Sequence, residues 1–165
     1  GTSRVIGLDP LRSTGGSNAT TTTQVHLGTG GSTNMNASRN EIVELNHRFS
    51  FESAHHLPHV PEDHKCRRLH GHSFQVEVSV KGPVGEPSGW VMDFADLKAA
   101  VRPVIDTLDH RYLNEIDGLE NPTSEHIAIW IWHQLISDLP GLICISVDET
   151  CNNGCTYRGD SLDRS

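Results

Sequence analysis

Histidine is concentrated in one short stretch of the chain: of 11 histidines in 165 residues, six fall between His55 and His72. His70-Gly71-His72 heads an alternating run that continues to Val80, so period-two strand geometry sends both imidazoles to one face. Gly71 between them leaves the opposite face open to close approach. His55 ends the preceding apolar alternation, and an antiparallel hairpin would set it beside the pair. Three neutral imidazoles around one point, with a fourth position open, form the ligand pattern of catalytic zinc. His55, His70 and His72 are therefore the candidate metal ligands. The competing reading is a solvated, histidine-rich loop, and it suits His56, His59 and His64, which lie among prolines and charges. His26 and His47 carry no argument, and His126 and His133 read as ordinary helix-face positions.

Other residues near this cluster could move protons. Cys66 lies in Lys65-Cys66-Arg67-Arg68, and a thiol among cations is available as a thiolate base or nucleophile. Its alternative role is a fourth zinc ligand in a closed site. Asp109-His110 pairs a carboxylate with an imidazole, the orienting arrangement of general acid–base chemistry, although such a pair is more often only a helix end. Glu149 ends a strand reading apolar at Ile143, Ile145 and Val147, and alternation places it on their inward face. An inward glutamate needs a partner, either a ligand with several N–H donors or a buried arginine.

The elements that must position these groups are legible in outline. Val43, Phe49 and Phe51 alternate with polar neighbours as in a half-buried strand, and His72–Val80 is the clearest strand in the chain. Gly82, Pro83, Gly85, Pro87 and Gly89 then interrupt regular structure. A helix follows Asp93, its N-cap, with an apolar stripe at Phe94, Leu97, Val101, Val104, Ile105 and Leu108. Pro103 inside it predicts a kink or a split. A second helix runs from near Thr123 to about Asp138, and its run Ile127–Trp132 is apolar all round, which requires more than one covering neighbour. Strands return at Leu142–Glu149 and around Cys155–Arg158. This order gives an α+β domain, an antiparallel four-stranded sheet with two helices on one face.

Composition bounds the remainder. From Ser13 to Arg39, 19 of 27 residues are Gly, Ser, Thr or Asn, too little apolar surface to offset the entropy of ordering. Residues 1–40 thus read as a disordered leader or an appended extension, with the domain over 41–165. The net charge is −8, and residues 1–39 contribute +2. A domain this acidic would repel a phosphate backbone, which argues against a nucleic-acid partner. No apolar run approaches the roughly 20 residues of a membrane span. With no secretory signal visible, the four cysteines read as thiols of a cytoplasmic protein.

Six motifs in order then connect the chain to a family: Phe51-Glu-Ser-Ala-His55, Cys66-x-x-x-His70-Gly-His72, Val91-Met-Asp-Phe94, Leu108-Asp-His110, Asn121-Pro-Thr-Ser-Glu125 and Glu149-Thr-Cys151. From about Phe49 to Gly159 the chain resembles the 6-pyruvoyl- and 6-carboxytetrahydropterin synthases. The resemblance implies the tunnelling fold and a homo-oligomer, usually a hexamer of two trimers, with active sites between subunits. It implies Zn²⁺ on His55, His70 and His72, catalytic roles for Cys66, Asp109 and His110, and a pterin-anchoring role for Glu149. Thr123 and Glu125 match a stretch near the pterin, and Lys65, Arg67 and Arg68 are local candidates for a triphosphate.

The activity so implied is a lyase acting on 7,8-dihydroneopterin triphosphate. Three residues, Arg67, Arg68 and Leu69, separate Cys66 from the His-Gly-His pair; the pyruvoyl-forming enzymes that the chain resembles typically have a longer spacer. That short spacer and the Glu149–Gly159 ending resemble the carboxy-forming branch, whose products are 6-carboxytetrahydropterin, acetaldehyde and triphosphate on the way to 7-deazaguanine (queuosine) compounds. The alternatives are the pyruvoyl-forming activity, a zinc hydrolase independent of Cys66, and a non-enzymatic pterin- or purine-binding member of the fold.

Overall fold

Two fourteen-residue strands, β1 (Ile42–His55) and β2 (His70–Pro83), pair antiparallel without a break from Ile42↔Pro83 to His55↔His70. They belong to a computed structural model that describes residues 41–150 and 152–160. The expected leader over residues 1–40, and Cys151, lie outside the described residues. Along this ladder the alternation is a sorting device. Phe49, Phe51, Phe74, Val76, Val78 and Val80 are buried, while Ser50, Glu52, Ser73 and Gln75 between them are exposed. Gly82 and Pro83, expected to interrupt the structure, still belong to β2, because the ladder with β1 reaches them at its last pairs.

The chain continues through α1 (Phe94–Leu108), β3 (Arg111–Tyr112), α2 (Ser124–Leu135), β4 (Leu142–Thr150) and β5 (Asn153–Tyr157). The sheet order is β3-β1-β2-β4-β5. It has five strands where four were expected, and β3 runs parallel to β1 through Ser53↔Arg111 and Ala54↔Tyr112. Two residues carry no readable alternation. The strand exists because the chain leaving α1 is pinned to β1, where the His110 amide donates to the Glu52 carbonyl at 2.7 Å.

Both helices begin as their sequences require. Asp93 accepts from the Ala95 amide at 2.7 Å and Thr123 from the His126 amide at 3.3 Å, each satisfying a donor that the first turn leaves free. In α1, Leu97, Val101, Ile105 and Leu108 are buried, whereas Phe94 is 46% exposed at the helix start. The helix is not split at Pro103, which sits within it. Pro103 and Ala99, whose carbonyl loses its helical donor, are both on the exposed face, where water can serve that carbonyl. In α2, Ile127, Ala128, Ile131 and Leu135 are buried, and Trp130 and Trp132 pack against the same core. The helix lies on β4 and β5 and touches α1, which explains its apolar circumference.

Strand β4 carries an irregularity where Val80 pairs with Leu142 and Ser79 with Cys144, so Ile143 has no partner. The alternation therefore resets: Leu142, Ile145 and Val147 are buried and Ile143 is half-buried. The turn into β4 needs a glycine. Gly141 has φ +81°, and a Cβ there would lie 2.5 Å from the Lys81 carbonyl oxygen, while the Lys81 amide donates to the Gly141 carbonyl at 2.8 Å. Gly89 also has a positive φ, +75°, but open space around it. Gly141→Ala should cost about 2 kcal/mol or more, from conformation and collision together, and Gly89→Ala about 1 kcal/mol from conformation alone. Urea denaturation of the two variants checks this, and equal losses would mean that the Lys81 contact contributes nothing.

Candidate active site and metal centre

The strand alternation that builds the core also builds the site. His55 pairs with His70, and Ser53 with His72, directly beyond the Phe51↔Phe74 pair on the same face. The three imidazoles converge: one ring nitrogen from each lies within 4.8 Å of the others. Phe74, stacked on Phe51 with centroids 4.8 Å apart, forms the floor beneath His55 and His72.

Hydrogen bonds fix which nitrogen two of the rings, His55 and His70, present. His55 is 1% exposed, and its Nδ1 lies 2.8 Å from the Pro122 carbonyl oxygen. That oxygen can only accept, so Nδ1 carries the proton and Nε2 is a bare lone pair. His55 Nε2 is buried and has no partner, which is costly unless a ligand completes it. His70 Nδ1 lies 2.7 Å from the Arg68 carbonyl, with the same consequence for its tautomer. Histidines that give Nδ1–H to a carbonyl and present Nε2 to a common point are arranged as metal ligands are.

Around the cluster the structure gathers three of the other candidates, Lys65, Cys66 and Glu149. Lys65, Cys66, His70, His72, Glu149 and Asn153 line one cavity of about 360 Å³. Cys66, half-buried, stands on a one-turn 3-10 segment, Lys65–Arg67. Its carbonyl accepts from Leu57 at 2.8 Å, which ties the loop to the end of β1. Arg67, expected beside the thiol, turns away and donates to the Pro58 and Val60 carbonyls at 2.9 and 2.8 Å. Glu149 is half-buried and Cys155 lies nearby. Burial, with the charges of Glu125, Asp148 and Glu149, pushes the Cys155 thiol up to about 11. It stays protonated at neutral pH.

His110 occupies the wall of a neighbouring cavity, with Asp109 bonded to it from behind. His110 lines a shallow cavity with His72, Gly71, Ser73 and Glu52, and Cys66 does not. Asp109 is anchored from two sides, accepting from the Glu52 amide at 2.9 Å and lying 2.9 Å from His110 Nδ1. The Glu52 amide first, and then His110, hold its carboxyl below the usual range. His110 has φ +56°, a left-handed conformation that costs a non-glycine residue energy. Thr123 and Glu125 line neither cavity; they start α2, where the Thr123 hydroxyl holds the Glu125 carboxyl below its usual range. His56 differs from the solvated loop residue its neighbours suggested. It is half-buried, stacked on Tyr112 and bonded through Nδ1 to the Tyr112 hydroxyl. No signal in the sequence marked Tyr112, Asn153 or the Pro122 carbonyl.

Burial lowers the His55 pKa, an effect that the Pro122 bond only partly offsets. The unfolded chain therefore binds a proton at His55 more readily than the folded one, and in the metal-free protein stability rises with pH through this group. Its contribution is complete above the ordinary histidine value of about 6.5 and is lost as pH falls below it. Urea unfolding of metal-free protein at pH 7.5 and pH 5.5 should show that loss, and His55→Gln should reduce it. An unchanged pH slope in His55→Gln would contradict the assignment.

With this geometry in hand, comparison with known proteins is specific. The sequence profile described as 6-pyruvoyl tetrahydropterin synthase matches residues 44–160. A 6-carboxy-5,6,7,8-tetrahydropterin synthase from Synechocystis sp. is 50% identical over 115 residues, 66% of this chain and 88% of the relative. A dihydroneopterin monophosphate aldolase from Pyrococcus furiosus is 43% identical over 95 residues, 58% of this chain and 76% of the relative. Among solved structures, the Caenorhabditis elegans 6-pyruvoyl tetrahydropterin synthase superposes with a TM-score of 0.69 at 32% identity, covering 74% of this chain and 99% of that one. Profile, relatives and fold agree, and the chain belongs to the 6-pyruvoyl tetrahydropterin synthase family.

Proposed function

We propose that the protein is a 6-carboxy-5,6,7,8-tetrahydropterin synthase, a metal-dependent lyase that takes 7,8-dihydroneopterin triphosphate and one water to the 6-carboxy product, acetaldehyde and triphosphate. One observation carries the reading: bare imidazole nitrogens, a thiol and a carboxylate face a single cavity. The Synechocystis relative, by its name, makes this product. The orphaned, buried His55 Nε2 fits a metal ion, and three neutral nitrogen donors with room for a further ligand suit zinc in a catalytic setting. His55, His70 and His72 would hold it, and the bound ion supplies Lewis acidity at the substrate's side-chain hydroxyls.

The remaining work falls to the chain's own groups. Cys66, as thiolate, takes a proton from carbon beside those hydroxyls. His110, oriented by Asp109, moves protons to and from oxygen. Glu149 accepts paired hydrogen bonds from the pterin N–H donors and fixes the ring, with Thr123 and Glu125 near it. Lys65, on the wall of the same cavity, supplies the cation for the triphosphate in this reading. Since Cys66 and His110 line different cavities of one chain, we assign the complete site to an interface between subunits of a homo-oligomer. Its free thiols Cys66, Cys144 and Cys155 suit a cytoplasmic enzyme of 7-deazaguanine synthesis. Among the described residues no helix is long and apolar enough to cross a membrane.

Cys66→Ala should keep about one zinc ion per chain yet lose turnover by at least about 100-fold, the usual contribution of a positioned base. His72→Ala should lose the metal. Metal analysis after dialysis separates the two, and zinc lost from Cys66→Ala would make the thiol a ligand instead of a base.

The product distinguishes this activity from its relatives. Incubation with dihydroneopterin triphosphate should release acetaldehyde and triphosphate in equal amounts, the aldehyde being read by coupled alcohol dehydrogenase. Triphosphate without acetaldehyde would assign the pyruvoyl-forming reaction. Turnover confined to the monophosphate would align the chain with the Pyrococcus aldolase.

A further inference from the structure

We propose that Asn114 is a positioning residue for the metal centre, acting through His55; this role rests on the three-histidine site proposed above. The His55 ring is oriented by its bond to the Pro122 carbonyl, so its aim depends on the distance between two segments: the end of β1 and the loop leading into α2. One carboxamide spans that distance. Asn114 Oδ1 accepts from the His56 amide at 3.0 Å, and Nδ2 donates to the His56 carbonyl at 2.9 Å and to the Glu120 carbonyl at 3.1 Å. His56 adjoins His55, and Glu120 lies two residues before Pro122.

The bidentate contact with His56 takes over at the point where backbone pairing ends. The β1–β2 ladder stops at His55↔His70, and His56 would otherwise have free peptide groups in a half-buried place. The side of the loop that carries Asn114 is itself fixed, because Leu113 and Leu119 are fully buried on either side of it. Asn114 thus transfers the position of a packed loop to the residue beside a ligand and to the segment bearing that ligand's acceptor. The pattern of one acceptor and two donated bonds is met by an amide alone. An aspartate in its place would set a carboxylate oxygen against two carbonyls, although it could still receive the His56 amide.

Groups that orient a metal-bound histidine typically contribute about 10- to 100-fold to metal affinity. The test uses the full chain, with zinc affinity measured by chelator competition and the visible absorption of the Co²⁺ form recorded. Asn114→Ala and Asn114→Asp should bind zinc about 10- to 100-fold more weakly and alter the Co²⁺ bands. Val101→Ala, which opens the core under α1, serves as the control: it should lower Tm while keeping wild-type affinity and bands. Wild-type affinity and bands in the Asn114 variants would overturn the proposal. So would an equal loss of affinity in Val101→Ala, which would reduce the role of Asn114 to general stability. If Asn114→Ala does not fold, Asn114→Asp, which retains the acceptor for the His56 amide, decides. A wild-type chain binding neither ion would overturn the metal centre, and this role with it.

Discussion

Everything in this domain hangs on the register of one hairpin. Fourteen consecutive pairs join β1 to β2, and their alternation assigns every side chain to the helix-covered face or the open one. A slip of one residue would turn one strand over against the other, separating Phe51 and His55 on β1 from His70, His72 and Phe74 on β2. The register is over-determined, since the stacked phenylalanines and the valines of β2 bury apolar surface only in this alignment. The ligand cluster is therefore held by the same free energy that holds the core. It needs no separate scaffold beyond the few bonds that set its ring orientations.

Those bonds come from backbone carbonyls and carboxamides more than from charges. Pro122 and Arg68 receive imidazole protons, Asn114 holds the peptide after His55, and the Glu52 amide anchors Asp109. Fixed dipoles of this kind choose a tautomer without introducing a competing charge near the metal position. The Asp109–His110 pair is held similarly. Ser53 donates to the Leu108 carbonyl, and His110 bonds back to Glu52, so the end of α1 is tied to β1 beside the residue that pairs with His72.

Much of this was legible from residue types and spacing. His-Gly-His on an alternating strand, His55 at the end of the one before it, and the Asp93 cap all act through local geometry, which a sequence carries directly. The five-stranded order, the unpaired Ile143 in β4 and the half-buried His56 depend on which segments meet across space. Two residues of β3 hold no pattern, and a backbone carbonyl such as that of Pro122 has no signature at all. Arg67 illustrates the same limit: adjacent charge suggested a partner for Cys66, but nearby free carbonyls at Pro58 and Val60 captured the guanidinium. Pro103 was tolerated because it fell on the wet side of α1, a fact set by tertiary packing.

The placement of the histidines at the end of an apolar stripe carries an evolutionary consequence. His55 stands on the same face as Phe51 and Phe74, edge-on to the Phe74 ring, where valine or leucine would extend the core and remove an orphaned polar nitrogen. Selection for stability alone would favour such replacements, and each would erase the chemistry. The hairpin thus sits below the stability its length could reach. On the proposed metal-binding reading, a chain without the ion bears that deficit in full and is the population most exposed to proteolytic turnover.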